Sequence, residues 1–164
     1  MNEQVRAAVI TVSDSRSRGE GGDESGARLA ELARAIGAEP IERDVVPDDR
    51  RVIEERLRHW ADAEGCDLVL TTGGTGFAPT DVTPEATRAV IEREAPGIPE
   101  AIRAASQAHT ANWFLSRGVA GIRGRTLIVN FPGSPRSISE TGEAIAAALP
   151  HALALLAGRH PPHR

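Results

Sequence analysis

The chain has no lysine and no tyrosine, a single cysteine, and five aromatic side chains among 164 residues. Each shortage excludes something. Without lysine there is no Walker-type phosphate loop, which needs its Lys on the phosphates. Schiff-base chemistry and a lysyl-nucleotide intermediate are excluded for the same reason. Any anion must be met by Arg, by backbone N–H groups or by a metal. Cys66 alone makes neither an internal disulfide nor a cysteine metal cluster. So few aromatics give no platform for stacking bases. A net charge of −4 leaves no basic excess of the kind that marks nucleic-acid binding. No apolar run is long enough for a membrane span, and the N-terminus lacks the basic start and apolar stretch of a signal peptide. A cytoplasmic protein with no nucleic-acid or membrane partner is expected.

Hydrophobic content of 40% and charged content of 26% suit an ordinary globular domain. The length suits one domain, placed at residues 1–158, with 159–164 a frayed tail. Short apolar runs alternate with helical patterns. Strands are expected at Val5–Val12, Ile41–Val46, Leu68–Thr71, Val119–Ile122 and Thr126–Val129. The helical spacing of Leu29, Leu32, Ala33 and Ile36 predicts a helix over 27–36, stopped by Gly37. A second helix opens at Pro47-Asp48 and carries Ile53, Leu57 and Trp60. Others are expected from near Pro84 to before Pro96, from Pro99 to Ala108, and from Ile138 to Leu156, the last split by Pro150. This alternation predicts a three-layer α/β/α domain around a mostly parallel sheet. Ligands then gather beyond the carboxyl ends of the strands, in loops starting at Ser13, Pro47, Thr72 and Asn130.

Each loop has a chemical and a plain structural reading. In Thr72-Gly73-Gly74-Thr75-Gly76, adjacent glycines let backbone N–H groups approach a phosphate, or simply make a tight turn. In Asp81-Val82-Thr83-Pro84-Glu85, Thr83 is a good N-cap, Pro84 fits the first helical position and Glu85 suits the first turn. Asp81 is left over, for Mg²⁺ or for an Asx turn. Asp48 caps the following helix or joins Asp81 at the same sheet edge. Two carboxylates beside a phosphate cradle make a metal-assisted phosphoryl- or nucleotidyl-transfer site. In Asn130-Phe131-Pro132-Gly133-Ser134-Pro135-Arg136, Arg136 can meet an anion bidentately, while Ser137 to Glu140 reads as a capping box. Ser13, Asp14 and the loop to Gly26 are a surface loop or a lid, with Asp23 or Ser25 as a cap. Ser116 and Arg117 contact a polar ligand or settle a turn. His59, His109, His151, His160 and His163 show no ligand spacing and are read as structural. The first strand is followed by Ser13-Asp14-Ser15 rather than G-x-G-x-x-G, which argues against a dinucleotide-dependent oxidoreductase.

Taken together, TVSD at 11–14, DESG at 23–26, VPDD at 46–49, TTGGTGFAPTDVTPEAT at 71–87 and LSRGVAGIRGRTLIVNFPGSP at 115–135 resemble the molybdopterin adenylyltransferases of molybdenum-cofactor biosynthesis. The resemblance runs to about Gly158. It implies a molybdopterin-binding-domain fold, a homotrimer, and attack of the molybdopterin terminal phosphate on the α-phosphate of Mg-ATP, releasing pyrophosphate. It places the two essential aspartates on Asp48 and Asp81, where they would hold Mg²⁺. It maps the Gly-rich motif to Gly73, Gly74, Thr75 and Gly76, the PGSP loop to Pro132, Gly133, Ser134 and Pro135, and a serine to Ser116, with Ser13 and Asp14 in the first strand-end loop. Thr72, Arg117, Asn130 and Arg136 are further candidate substrate contacts from their own chemistry and position. Other proteins of the same biosynthesis are implied partners. Two departures stand out. Thr80 occupies a position that is often basic in relatives, and Arg136 stands where they often have Lys. A second reading is a non-catalytic protein of the same family that binds molybdopterin and hands it on without metal.

Overall fold

The computed structural model describes residues 3–159. His160 to Arg164, and with them most of the expected tail, lie outside the described residues. A six-stranded sheet runs in the order β2-β1-β3-β6-β5-β4. Its strands are β1 (Val5–Val12), β2 (Ala38–Val46), β3 (Leu68–Thr72), β4 (Arg93–Glu94), β5 (Ala120–Arg123) and β6 (Thr126–Phe131). β2, β1, β3 and β6 pair in parallel, and β5 and β4 add antiparallel at the far edge. The helices are α1 (Asp14–Ser17), α2 (Glu24–Ile36), α3 (Arg50–Arg58), α4 (Thr83–Val90), α5 (Gly97–Ser106), α6 (Pro135–Ala146) and α7 (Leu149–Leu156).

The strand period of two builds the three layers. Ala7 and Val9 of β1 point to the same side as Leu68, Leu70, Leu127 and Val129, and meet α2, α5, α6 and α7 through Leu29, Ile102, Ile138 and Leu153. Ala8 and Ile10 point the other way with Val69 and Ile128, and meet α3 and α4 through Ile53, Leu57 and Val90. Strands covered on both faces read as continuous apolar runs, which is why Val5–Val12 is legible with both boundaries intact. β2, at the open edge, buries only its ends and is the weakest pattern of the long strands.

Helices α2 and α3 lie on opposite faces, and β1 has β2 on one side and β3 on the other. The winding therefore reverses between β1 and β3, and the carboxyl ends of those two strands splay into a crevice.

Three caps differ from expectation. Asp49, not Asp48, caps α3, accepting from the N–H groups of Arg51 and Val52. Asp48 is thereby released for other work. Val82 occupies the cap position of α4 without a side-chain bond, and the Thr83 hydroxyl donates to the Gly73 carbonyl at 3.0 Å. Ser134, not Ser137, caps α6, and Glu140 pairs with Arg136 rather than closing a box. The helix after Pro84 ends at Val90, and Arg93–Glu94 pairs with β5 instead. Asp23, one of the two expected caps, serves α2, and the last helical pattern divides at Pro150 as expected.

Asn130 is buried at the end of β6. Its amide donates to Thr71 Oγ1 and Thr87 Oγ1, both at 3.0 Å, and its Oδ1 accepts from Val119 N–H at 3.1 Å. The polar atoms of its side chain are spent on joining β3, α4 and the residue before β5, so the side chain expected to contact a ligand is a brace in this fold. Asn130→Ala leaves the Val119 N–H unpaired and removes two further bonds. The expected loss is about 2–3 kcal/mol, read as a lower urea midpoint at unchanged m-value.

Candidate functional site

Gly73 and Gly74 follow β3 at φ values of +96° and +70°. A Cβ on Gly73 would stand 2.3 Å from the Val12 carbonyl oxygen, and one on Gly74 2.3 Å from Thr83 Oγ1. Only glycine lets this chain pass so close to β1 and α4 in a left-handed conformation. The hydrogen bonding of the loop is one-sided. The carbonyls of Gly73 and Gly74 accept from the Thr83 hydroxyl and N–H. Those of Thr75 and Gly76 accept from the backbone and side chain of Arg117. Among the described residues, the N–H groups of Gly74, Thr75 and Gly76 donate to nothing in the chain. A loop whose carbonyls are drawn back and whose amides are left over is an anion cradle.

The Pro132–Pro135 loop is anchored likewise. Thr72 Oγ1 donates to the Pro132 carbonyl at 2.6 Å and Ser25 Oγ to the Gly133 carbonyl at 2.8 Å. Gly133 packs on Gly73, and the two glycines form a ridge. A cleft lies on either side. The first, of ≈ 530 Å³, occupies the crevice between β1 and β3 and is lined by Thr11, Ser13, Ser15, Arg16, Asp23, Ser25, Thr72, Gly73, Gly133 and Pro135. The second, of ≈ 510 Å³, is lined by Gly74, Thr75, Gly76, Phe77, Asp81, Asn112, Leu115, Ser116, Pro132 and Gly133. One is walled mainly by hydroxyls and charges, the other has the exposed Phe77 and Leu115.

The acidic residues meet at this ridge. Asp14 N–H donates to Asp48 Oδ2 at 3.1 Å, and Asp48 N–H returns a bond to Asp14 Oδ1 at 2.8 Å. This reciprocal clasp ties the loop after β1 to the loop after β2. Asp48 Oδ1 lies 3.3 Å from the Cβ position of Gly74, and Asp81 Oδ2 lies 2.9 Å from that of Gly76. The two carboxylates thus border the two ends of the unpaired amides. Burial raises the Asp48 pKa above the ordinary carboxylate value. The Asp14 N–H opposes that shift, and the negative charges of Asp14 and Asp81 add to it. No cation within the chain pairs with Asp48 or with the Asp81 carboxylate among the described residues. Uncompensated carboxylates at either end of free amides suit Mg²⁺ held jointly by protein and phosphate oxygens. Mg²⁺ commonly takes one or two carboxylates plus substrate phosphate. A self-sufficient cage is not needed, and no group of three or more potential ligands occurs among the described residues.

The raised pKa carries a sign. The ionised form of Asp48 is disfavoured by folding, so its contribution to stability is fullest below the unfolded carboxylate pKa. It is lost as pH rises through the higher folded value. Asp48→Asn keeps an acceptor for the Asp14 N–H but removes the charge. In magnesium-free buffer, the variant is expected to have the higher Tm at pH 7, with the difference closing toward pH 3. Calorimetry across that range checks it, and a wild-type advantage at pH 7 would contradict it.

Several expected contacts fall elsewhere. All three Arg117 guanidinium nitrogens are engaged within the chain, with Gly76 O, Asp81 O and Glu85 Oε1. Arg136 is 86% exposed and pairs with Glu140. Neither lines the clefts. The cation that does is Arg16, which no sequence motif marks. It tucks beneath the Gly19–Gly22 turn, donating to the Glu20 carbonyl at 2.9 Å. The available clue is an Arg in the polar loop right after the first strand. Asp23 does more than cap α2. It lines the first cleft while accepting from Thr11 Oγ1 and Arg43.

A three-layer α/β domain with partnerless amides, a carboxylate at either end of them and paired clefts at its winding reversal has the form of a site for phosphate-bearing ligands. The chain belongs to the family described as probable molybdopterin binding domain, which matches residues 8–151. It is similar to the molybdopterin adenylyltransferase of Helicobacter pylori strain J99, at 39% identity over 160 residues, covering 96% of this chain and 91% of that one. It is 42% identical over 155 residues to the molybdenum cofactor synthesis protein cinnamon of Drosophila melanogaster, covering 94% of this chain but only 26% of that longer protein. Among solved structures, the molybdopterin biosynthesis enzyme MoaB of Thermus thermophilus superposes with a TM-score of 0.89 at 47% identity. The match covers 95% of this chain and 98% of that one.

Proposed function

We propose that the chain is a molybdopterin adenylyltransferase, joining AMP from Mg-ATP to the terminal phosphate of molybdopterin. The observation that carries this reading is the ridge. Unpaired amides at Gly74 to Gly76 lie between Asp48 and Asp81, with a cleft of substrate size on each side. Two clefts sharing one phosphate-binding wall suit two phosphate-bearing substrates that must react with each other.

In the proposed step, an oxygen of the molybdopterin phosphate forms a bond to the α-phosphorus of ATP. The bond from that phosphorus to the bridging oxygen breaks, and pyrophosphate leaves with the electron pair. The attacking group is already an anion, so no side chain has to remove a proton. Catalysis reduces to alignment and charge neutralisation. Gly74 to Gly76 orient phosphate oxygens through their amides, and Gly133 separates the substrates. Arg16 adds positive charge to the first cleft. Asp48 and Asp81 would hold Mg²⁺, which when bound neutralises charge on the phosphate oxygens. The clasp from Asp14 keeps Asp48 from turning away.

The same reading includes a homotrimer in the cytoplasm, exchanging substrate and product with other proteins of molybdenum-cofactor biosynthesis. Trp113 and Phe114 form an edge-to-face pair, with Phe114 exposed, suited to a subunit contact. The route of label tests the chemistry. Radioactivity from [α-³²P]ATP should enter the pterin product, while that from [γ-³²P]ATP should appear only in pyrophosphate. Label in the pterin from the γ-position, or from neither, rules out adenylyl transfer.

A further inference from the structure

We propose that Arg117, fixed by Glu85, is a positioning residue that sets the Gly76–Asp81 loop and through it the affinity for the divalent cation. The proposal rests on the nucleotidyl-transfer reading for its biological purpose, but its geometry stands apart from it.

The segment from Gly76 to Asp81 has no helix or strand to hold it. Internally it has one turn, in which Asp81 N–H donates to Ala78 O and Ala78 N–H to Asp81 Oδ2, at 2.9 and 3.0 Å. Arg117 closes both ends. Its Nε donates to Gly76 O at 2.8 Å and its Nη2 to Asp81 O at 2.9 Å. The remaining Nη1 bonds Glu85 Oε1, in the first turn of α4. The base of the side chain is fixed as firmly. Arg117 N–H donates to Thr75 O at 2.8 Å, and Arg103 spans its neighbours by donating to Ser116 O and Gly118 O. The Glu85 carboxyl is held below its ordinary pKa, chiefly by its hydrogen bond from Arg117.

Three acceptors in three fixed directions match a planar guanidinium. A lysine ammonium carries the charge but not the fork. The fork matters because Asp81 Oδ2 lies just over Gly76. If the loop opens, the carboxylate leaves the amides. Groups that orient a metal ligand in this way commonly carry roughly 10–100-fold of the metal affinity.

The test uses the full chain and Mn²⁺ as probe, with ATP present and molybdopterin absent. Free Mn²⁺ is followed by electron paramagnetic resonance. Arg117→Lys should weaken Mn²⁺ binding by about tenfold or more, and Glu85→Leu by less. In turnover, the half-saturating Mg²⁺ concentration should rise in parallel, and excess Mg²⁺ should restore kcat. Wild-type Mn²⁺ affinity in folded Arg117→Lys overturns the proposal. So does a raised KM for ATP that no Mg²⁺ concentration relieves, since that marks a direct phosphate contact. Should Arg117→Lys fail to fold, Glu85→Leu decides, because it removes the acceptor that fixes Arg117 Nη1 while leaving the arginine in place: wild-type Mn²⁺ affinity there also overturns it. Mn²⁺ bound to a wild-type protein that releases no pyrophosphate defeats the adenylyl-transfer reading alone. A wild type that binds no Mn²⁺ defeats both.

Discussion

Asp81→Ala is expected to leave the chain folded and to lower formation of adenylylated molybdopterin by about a hundredfold to a thousandfold, the usual cost of losing one electrostatic group aimed at developing charge. The fold survives because the Asp81 side chain makes one internal bond, to the Ala78 N–H, while its carbonyl stays under Arg117. The loss is large because Asp48 alone is a poor Mg²⁺ site. Its carboxylate is partly buried, faces other negative charges and has a raised pKa. Asp81→Asn separates charge from shape: it keeps an acceptor for the Ala78 N–H and should be nearly as inactive as Asp81→Ala. Product assay together with a thermal melt checks both. Turnover near the wild-type level in either variant would remove Asp81 from the mechanism.

Gly73→Ala should be the most damaging single change to both stability and activity. The new methyl group would meet the Val12 carbonyl at 2.3 Å, a backbone atom inside a parallel sheet, at a φ of +96°. Rotating a neighbouring side chain gives no relief, so β1 and the turn must part. That breaks the Gly73 N–H bond to the Phe131 carbonyl and loosens the ridge on which Gly133 rests. The expected cost is about 3 kcal/mol, or roughly 6–12 °C in Tm for a domain of this size. Activity should fall further than stability, since the amide cradle is displaced as well. Gly97→Ala is the control. A Cβ there meets nothing within 4 Å, in a helix with an ordinary φ, and the melt should be unchanged or slightly raised.

What is legible in the chain, and what is not, follows from how far each interaction reaches. The inner parallel strands are legible because both their faces are buried, so composition alone marks Val5–Val12 and Leu68–Thr71. Gly37 and Pro150 are legible because each acts on its own backbone. The glycine loop and Asp81 stand out because no neighbouring helix cap uses them up, although the Asp81 side chain also closes a turn on the Ala78 N–H. Asp48 and Asp49 are not separable by sequence, since either can cap a helix opening within two residues. Only the Asp14 clasp, 34 residues away in sequence, shows that Asp48 is engaged elsewhere. Arg117 misleads for a related reason. A guanidinium in a turn satisfies carbonyls as readily as phosphates, and its partners at Gly76, Asp81 and Glu85 come from a distant loop and helix. Arg16 is hidden because the first loop looks merely polar.

The lack of lysine acquires a sharper meaning from these positions. On the proposed function, phosphate would be met by the backbone amides of Gly74 to Gly76, by a cation shared between Asp48 and Asp81, and by Arg16 in the first cleft. Metal dependence of turnover follows from the proposed function. Purified protein, ATP and molybdopterin are combined while Mg²⁺ is titrated, and pyrophosphate release is followed by a coupled assay. Stoichiometric pyrophosphate that rises with Mg²⁺, ceases with chelator and needs molybdopterin is the expected result. Tight pterin binding with no pyrophosphate at any Mg²⁺ concentration would contradict it and leave a protein that binds molybdopterin and hands it on.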